Sequence, residues 1–129
     1  MSSEASIAPL IRDAAEFLLA LGDLAMSAIE AKRLKTSDGR THEVETVFTD
    51  GVGRKAGLQK TDKGYRIVAD CQGLSAAQVK KQTESISQVV QRYSYRRVIQ
   101  QLQSEGYAVA EEQKQPDGSV RLVARKWTA

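Results

Sequence analysis

Asp62-Lys63-Gly64-Tyr65-Arg66-Ile67-Val68-Ala69-Asp70-Cys71-Gln72-Gly73-Leu74-Ser75 is the stretch whose reading decides the fold. Asp62-Lys63-Gly64 has the composition of a hairpin turn, and Tyr65 to Asp70 is a strand rich in aromatic and β-branched residues. Gln72-Gly73 closes the strand, and Ser75 is placed to cap a following helix. A strand that leaves a hairpin and passes by a short loop into a helix points to an α+β domain rather than to a bundle or a sandwich.

Upstream, Ala56 to Thr61 forms a second short strand, and Asp50-Gly51-Val52-Gly53 is a turn. Before it, Val44, Thr46 and Phe48 alternate with Glu43, Glu45 and Val47, as in a half-buried strand in which Val47 is the apolar exception. These segments make a three-stranded antiparallel meander. Downstream, about Ser75 to Ser104 reads as one helix whose apolar face changes sides. With Ile86 at zero on a 100° wheel, Val89, Val90 and Tyr93 lie within about 60°, whereas Tyr95, Val98, Ile99 and Leu102 lie about 120–220° away. No proline marks a kink, so the pattern predicts a straight helix used against two different neighbours. Glu105-Gly106 stops it. Tyr107 and Val109, then Pro116-Asp117-Gly118, then Val120, Leu122 and Ala124 form a closing hairpin.

At the N-terminus, residues from about Ser6 to Lys35 read as a long amphipathic helix. Ile7, Leu10, Ile11, Ala14, Phe17, Leu18, Leu21 and Leu24 fall on one arc, Ser6 caps, and Pro9 is confined to the first turn. Lys32, Arg33 and Lys35 then sit near the C-terminus of its dipole. The expected order is α-β-β-β-α-β-β: an antiparallel sheet of about five strands with both long helices packed on it. The N-terminal helix occupies residues 1–36 and the α+β domain residues 37–129, within one compact domain.

The composition excludes several classes. The chain has 129 residues, 41% hydrophobic, 27% charged and 5% aromatic, which is globular rather than disordered. One cysteine makes no internal disulfide, so a reducing, cytoplasmic setting is expected. The richest apolar run, Phe17 to Leu21, ends at Gly22-Asp23, and no secretory signal precedes it, so no membrane contact is expected. The net charge of +3 hides an asymmetry. Met1 to Ala31 carries one basic and five acidic residues, Lys32 to Asp70 nine and six, and Cys71 to Ala129 nine and five. An acidic start attached to a basic remainder permits self-association.

Gly64 to Asp70, Gly73-Leu74, Gln91-Arg92-Tyr93-Ser94-Tyr95, Glu105-Gly106-Tyr107, Gly118 to Val123 and Arg125-Lys126-Trp127 together resemble one family. It is that of the hypothetical chloroplast reading frame thirty-five of algal plastid genomes, with its cyanobacterial and other bacterial relatives. The resemblance covers roughly Val52 to Trp127. It implies no activity, because the family has none established. It does imply a stromal location for a plastid-encoded member, and its gene neighbourhoods suggest an ATPase of the AAA+ type as partner. Two departures stand out. Members of the family begin with a short strand ahead of a helix, where this chain reads as helix from the start. They often carry two tryptophans after the aspartate matched by Asp70, where this chain has Cys71 and Gln72.

The residues point to no reaction. His42 and Cys71 are the single histidine and cysteine, too few for a zinc site, so no metal or cofactor is expected. Cys71 follows a buried-type strand, where a small apolar role is the common one. Gly51 to Gly57 lacks the spacing of a phosphate-binding loop, although Arg54 and Lys55 can touch an anionic partner. Arg92, Tyr93, Tyr95, Arg96 and Arg97 interleave aromatic and guanidinium groups, but Tyr93 and Tyr95 project to opposite helix faces and cannot share one platform. Arg121, Arg125 and Trp127 form a second basic, aromatic group. These ten residues are the candidate partner-binding set. The expected function is that of a noncatalytic intracellular adaptor or assembly subunit that contacts a protein partner or a second copy through the N-terminal helix. The alternative is a nucleic-acid-binding module using the basic face.

Overall fold

A computed structural model describes residues 4–117 and 120–126. The α+β class is as expected, but the strand inventory is larger. In chain order the elements are β1 (Glu4–Ile11), α1 (Ala14–Asp23), β2 (Ala28–Ile29), β3 (Arg33–Lys35), β4 (Thr41–Glu43), β5 (Thr46–Thr49), β6 (Lys55–Thr61), β7 (Gly64–Asp70), α2 (Ala76–Ser104), β8 (Tyr107–Lys114) and β9 (Val120–Lys126). A five-stranded antiparallel sheet runs in the order β1-β7-β6-β5-β2, and β3-β4 and β8-β9 form two-stranded ribbons. The chain divides into two units, Met1–Tyr93 and Ser94–Ala129.

The long N-terminal helix is the main correction. Residues 6–35 form a strand, a ten-residue helix and two further short strands instead. Asp13 starts α1, with an extended backbone and a carboxylate that accepts the Glu16 N–H at 3.1 Å. After Asp23 the backbone of Ala25 enters the left-handed region, at φ 55°, which no continuing helix allows. The helical pattern misled because residues four apart share a face in a strand as well as in a helix. Pro9, without an N–H, suits the outer strand where it now lies. A strand therefore precedes the first helix, where the sequence pattern read as helix throughout.

In the first unit both faces of the sheet are covered. Ile67 and Ala69 of β7, Ala56 and Leu58 of β6 and Phe48 of β5 pack with Phe17, Ala20 and Leu21 of α1 and with Ile86, Val89 and Tyr93 of α2. The Phe17 ring meets Phe48 edge-on at 5.6 Å and Tyr93 at 6.3 Å. Fully burying each such side chain contributes about 1.5–3 kcal/mol. Tyr93 is anchored further by its hydroxyl oxygen, which accepts the N–H groups of Arg12 and Asp13 at 3.0 and 3.2 Å.

The opposite face holds a smaller cluster, Val47 and Val68 from the sheet with Leu34 and Val44 from the β3-β4 ribbon. This second cover explains why Val47 broke the alternation of the sequence. The single strand expected from Glu43 to Phe48 is divided for the same reason. The Val44 N–H bonds to Lys32 in the ribbon, the Glu45 N–H bonds to Leu58 in the sheet, and the chain crosses between them.

α2 is continuous and begins with reciprocal capping: the Gln78 N–H donates to the Ser75 hydroxyl, and the Ser75 N–H to the Gln78 side chain. The border between the units falls after Tyr93, where the apolar face of the helix changes sides. In the second unit β8 pairs with β9 from Tyr107↔Lys126 to Lys114↔Val120, with an irregularity between Val109 and Glu111. The Tyr95 hydroxyl donates to Glu112 at 2.6 Å.

Candidate functional site

Four segments far apart in sequence meet in one polar network. The turn between β5 and β6 is built on Asp50, whose buried carboxylate accepts the N–H groups of Val52 at 3.0 Å and Arg54 at 2.8 Å. Its other oxygen accepts a hydrogen bond of 2.7 Å from Gln82 of α2. The Gln82 amide also donates to the Asp70 carbonyl at 2.9 Å, so one buried side chain ties the helix to both β5 and β7. The turn can approach α2 because residue 51 is glycine. A Cβ there would lie 2.8 Å from that of Ser85.

Asp70 closes the network. Its carboxylate accepts the N–H of Ser37 at 2.8 Å, the Ser37 hydroxyl and the N–H of Gln72 at 3.2 Å, and faces the Arg54 guanidinium at 3.4 Å. Burial alone would raise its pKa. The Ser37 hydroxyl and N–H, the Gln72 N–H and the Arg54 charge outweigh burial and hold the carboxyl below its ordinary value of 3.8. An ionised carboxylate this fully engaged latches the β3-β4 ribbon to the end of β7. It is a poor proton acceptor. His42 lies elsewhere, its Nε2 at 3.4 Å from the Thr36 hydroxyl, and Cys71 is a half-buried free thiol. Among the described residues no His, Cys, Asp and Glu side chains gather in a metal-holding group.

The described candidate residues play separate parts. Arg54 belongs to the latch and Lys55 opens β6 with an exposed side chain. The glycine-rich loop is a tight turn in which Asp50 takes up the N–H groups of Val52, Gly53 and Arg54. Arg92 is paired with Asp23 at 2.7 Å. Tyr93 is core, and Tyr95 is held by Glu112. Arg96 is half-buried and Arg97 exposed. Arg121 and Arg125 are exposed and share one face of the β8-β9 ribbon, opposite the face that carries Glu112. Trp127 lies outside the described residues.

A cleft of ≈510 Å³ opens on the ribbon side of the first unit, with Lys32, Arg33, Glu43 and Glu45 on one wall and Gln59 and Lys60 on the other. The sequence reading missed both this cleft and the latch. Gln82 did carry a signal, since a polar residue four before Ile86 and seven before Val89 sits on the buried arc of the helix.

A family model described as protein of unknown function, DUF1257, matches residues 20–123. The chain belongs to this family. The chain is also similar to the uncharacterized protein ycf35 of Pyropia yezoensis, 24% identical over 128 residues that cover 98% of each chain. The similarity thus extends upstream of Val52 through the strand-first N-terminus. No solved structure matches the chain. No helix among the described residues of this DUF1257 protein is long and apolar enough to cross a membrane.

Proposed function

We propose that the protein is a noncatalytic adaptor or assembly subunit whose C-terminal unit docks on a protein partner. One observation carries the reading. Among the described residues from Ser94 to Lys126 no side chain is buried, although Tyr95, Ile99, Leu102, Tyr107, Val109, Leu122 and Val123 are all present. Val98 is 47% and Val120 38% exposed. A two-stranded ribbon with one helix end is marginal by itself, and apolar side chains left half covered are those that a partner surface can finish burying. An intracellular setting, cytoplasmic or stromal, belongs to this reading and is supported by the free thiol of Cys71.

Size-exclusion chromatography with light scattering and cross-linking in extracts of the source cells tests it, on the wild type and on a Val98→Asp, Val120→Asp variant. The wild type is expected in an assembly larger than its 14.2 kDa chain, and the variant as a monomer. An ATPase of the AAA+ type is one partner to look for, on the family resemblance alone. Self-association is the other. With the long helix gone, its apolar seam reduces to Leu18 and Leu19, 41% and 51% exposed on α1. A wild type that is monomeric and forms no cross-links removes the reading.

The shared ribbon face of Arg121 and Arg125 favours one alternative, binding of nucleic acid. It requires retention of an oligonucleotide at low salt that falls steeply as salt rises.

A further inference from the structure

We infer that the cleft between the β3-β4 ribbon and β6 is a docking site for an acidic peptide segment. The charge balance of its surroundings comes first. Of the six acidic side chains from Lys32 to Asp70, Asp38 pairs with Arg40 at 3.7 Å, Glu45 with Lys32 at 3.5 Å and Asp70 with Arg54 at 3.4 Å. Asp50 is enclosed by Val52, Arg54 and Gln82. Three of the nine basic residues of the same segment are taken up in these pairs, and the other six stand against Glu43 and Asp62.

Two of the surplus cations, Arg33 and Lys60, line the cleft from the ribbon and from β6, and neither is in an ion pair with a carboxylate among the described residues. Glu45 is neutralised by Lys32, whose ammonium also donates to the Glu45 carbonyl at 3.0 Å, whereas Glu43 stands opposite Arg33 in the ribbon register without an ion pair, so the lining keeps two unpaired cations against one carboxylate. The Gln59 side chain is fixed between the Glu43 carbonyl at 3.4 Å and the Arg66 guanidinium at 2.7 Å, which brings a further cation to the rim.

The occupant follows from this chemistry. Arg33 offers a planar fork that matches a carboxylate, and Lys60 a point charge across the gap, so two acidic side chains of one extended segment can be held at once. Among the described residues no aromatic side chain lines the cleft, so they offer no base-stacking platform of the kind that single-stranded nucleic acid uses. A volume of ≈510 Å³ accommodates a few side chains. The site uses no residue of the C-terminal unit, so it stands or falls independently of the adaptor reading.

Fluorescence anisotropy of labelled hexaglutamate with the full-length protein tests the proposal. Binding is expected at low ionic strength and weakens as salt is added, because the cations are exposed. Arg33→Glu with Lys60→Glu is expected to weaken it roughly tenfold or more, whereas Arg121→Glu with Arg125→Glu leaves it within about twofold. Both replaced cleft residues are exposed. Far-UV circular dichroism checks their folding, and Lys60→Gln provides a milder variant with a smaller loss. Three results would overturn the proposal: no binding of hexaglutamate at low salt, binding indifferent to the cleft reversals, or displacement of the peptide by a labelled oligonucleotide of equal charge that those reversals abolish.

Discussion

Gly57 occupies the middle of β6, where a Cβ would lie 2.6 Å from Val44 Cγ1 and 3.2 Å from Leu34 Cδ2. Its missing side chain is what lets the ribbon lie against the second face of the sheet. Gly57→Ala should destabilise the protein by about 1–3 kcal/mol, read from urea denaturation, because both neighbours sit in a filled cluster and must move. Asp70 governs the same ribbon electrostatically. Its carboxyl is held below 3.8 in the folded state, so its stabilisation is complete above that value and is lost as pH falls through the lower, folded one. The stability difference between wild type and Asp70→Asn should be flat above about pH 5 and narrow below pH 3.8 in denaturation curves taken across that range. A gap that stays constant into acid would remove the latch. The sequence showed Asp70 as a strand end and Gly57 as one glycine in a loop-like run. The reason each residue is needed lies in the ribbon, whose placement depends on contacts between segments far apart in the chain.

At the scale of elements, legibility followed the number of competing patterns. β6, β7 and α2 were readable within a residue or two, because each has one period and clear punctuation at its ends: Gly64, Gly73 and Ser75. Residues 6–35 were not, since their apolar spacing satisfies a helix and an outer strand alike, and the deciding features were a single cap at Asp13 and a left-handed Ala25. The change of face in α2 was visible in the sequence and has a dynamic consequence. Ile86, Val89 and Tyr93 are buried, while the turns from Ser94 onward bury nothing fully. Amide exchange should therefore divide one unbroken helix. Protons from Val98 to Ser104 should exchange roughly thirtyfold faster or more than those from Ile86 to Tyr93, as expected where local opening costs about 2 kcal/mol less. Equal protection along the whole of α2 would contradict this.

For the whole molecule, the distribution of burial separates what folds the chain from what the chain offers. All the buried side chains among the described residues lie between Ile11 and Tyr93, and the apolar ones form two clusters on the two faces of one sheet. Removing everything after Ser104 takes away the β8-β9 ribbon, with Arg121, Arg125 and Trp127, yet leaves α2 at full length and every buried residue in place. Stability resides mostly in area removed from water, so the shortened chain should unfold in one cooperative transition within about 2 kcal/mol of the parent. The measurement is urea denaturation followed by far-UV circular dichroism and by the tyrosine signal of Tyr65, Tyr93 and Tyr95. Its value lies in pairing it with the partner assay. If the C-terminal unit is the docking surface, the shortened chain keeps its fold and loses its assembly, whereas hexaglutamate binding in the cleft persists. Loss of the fold on shortening would instead make the ribbon a structural part of the first unit, and its half-covered apolar residues would no longer argue for a partner.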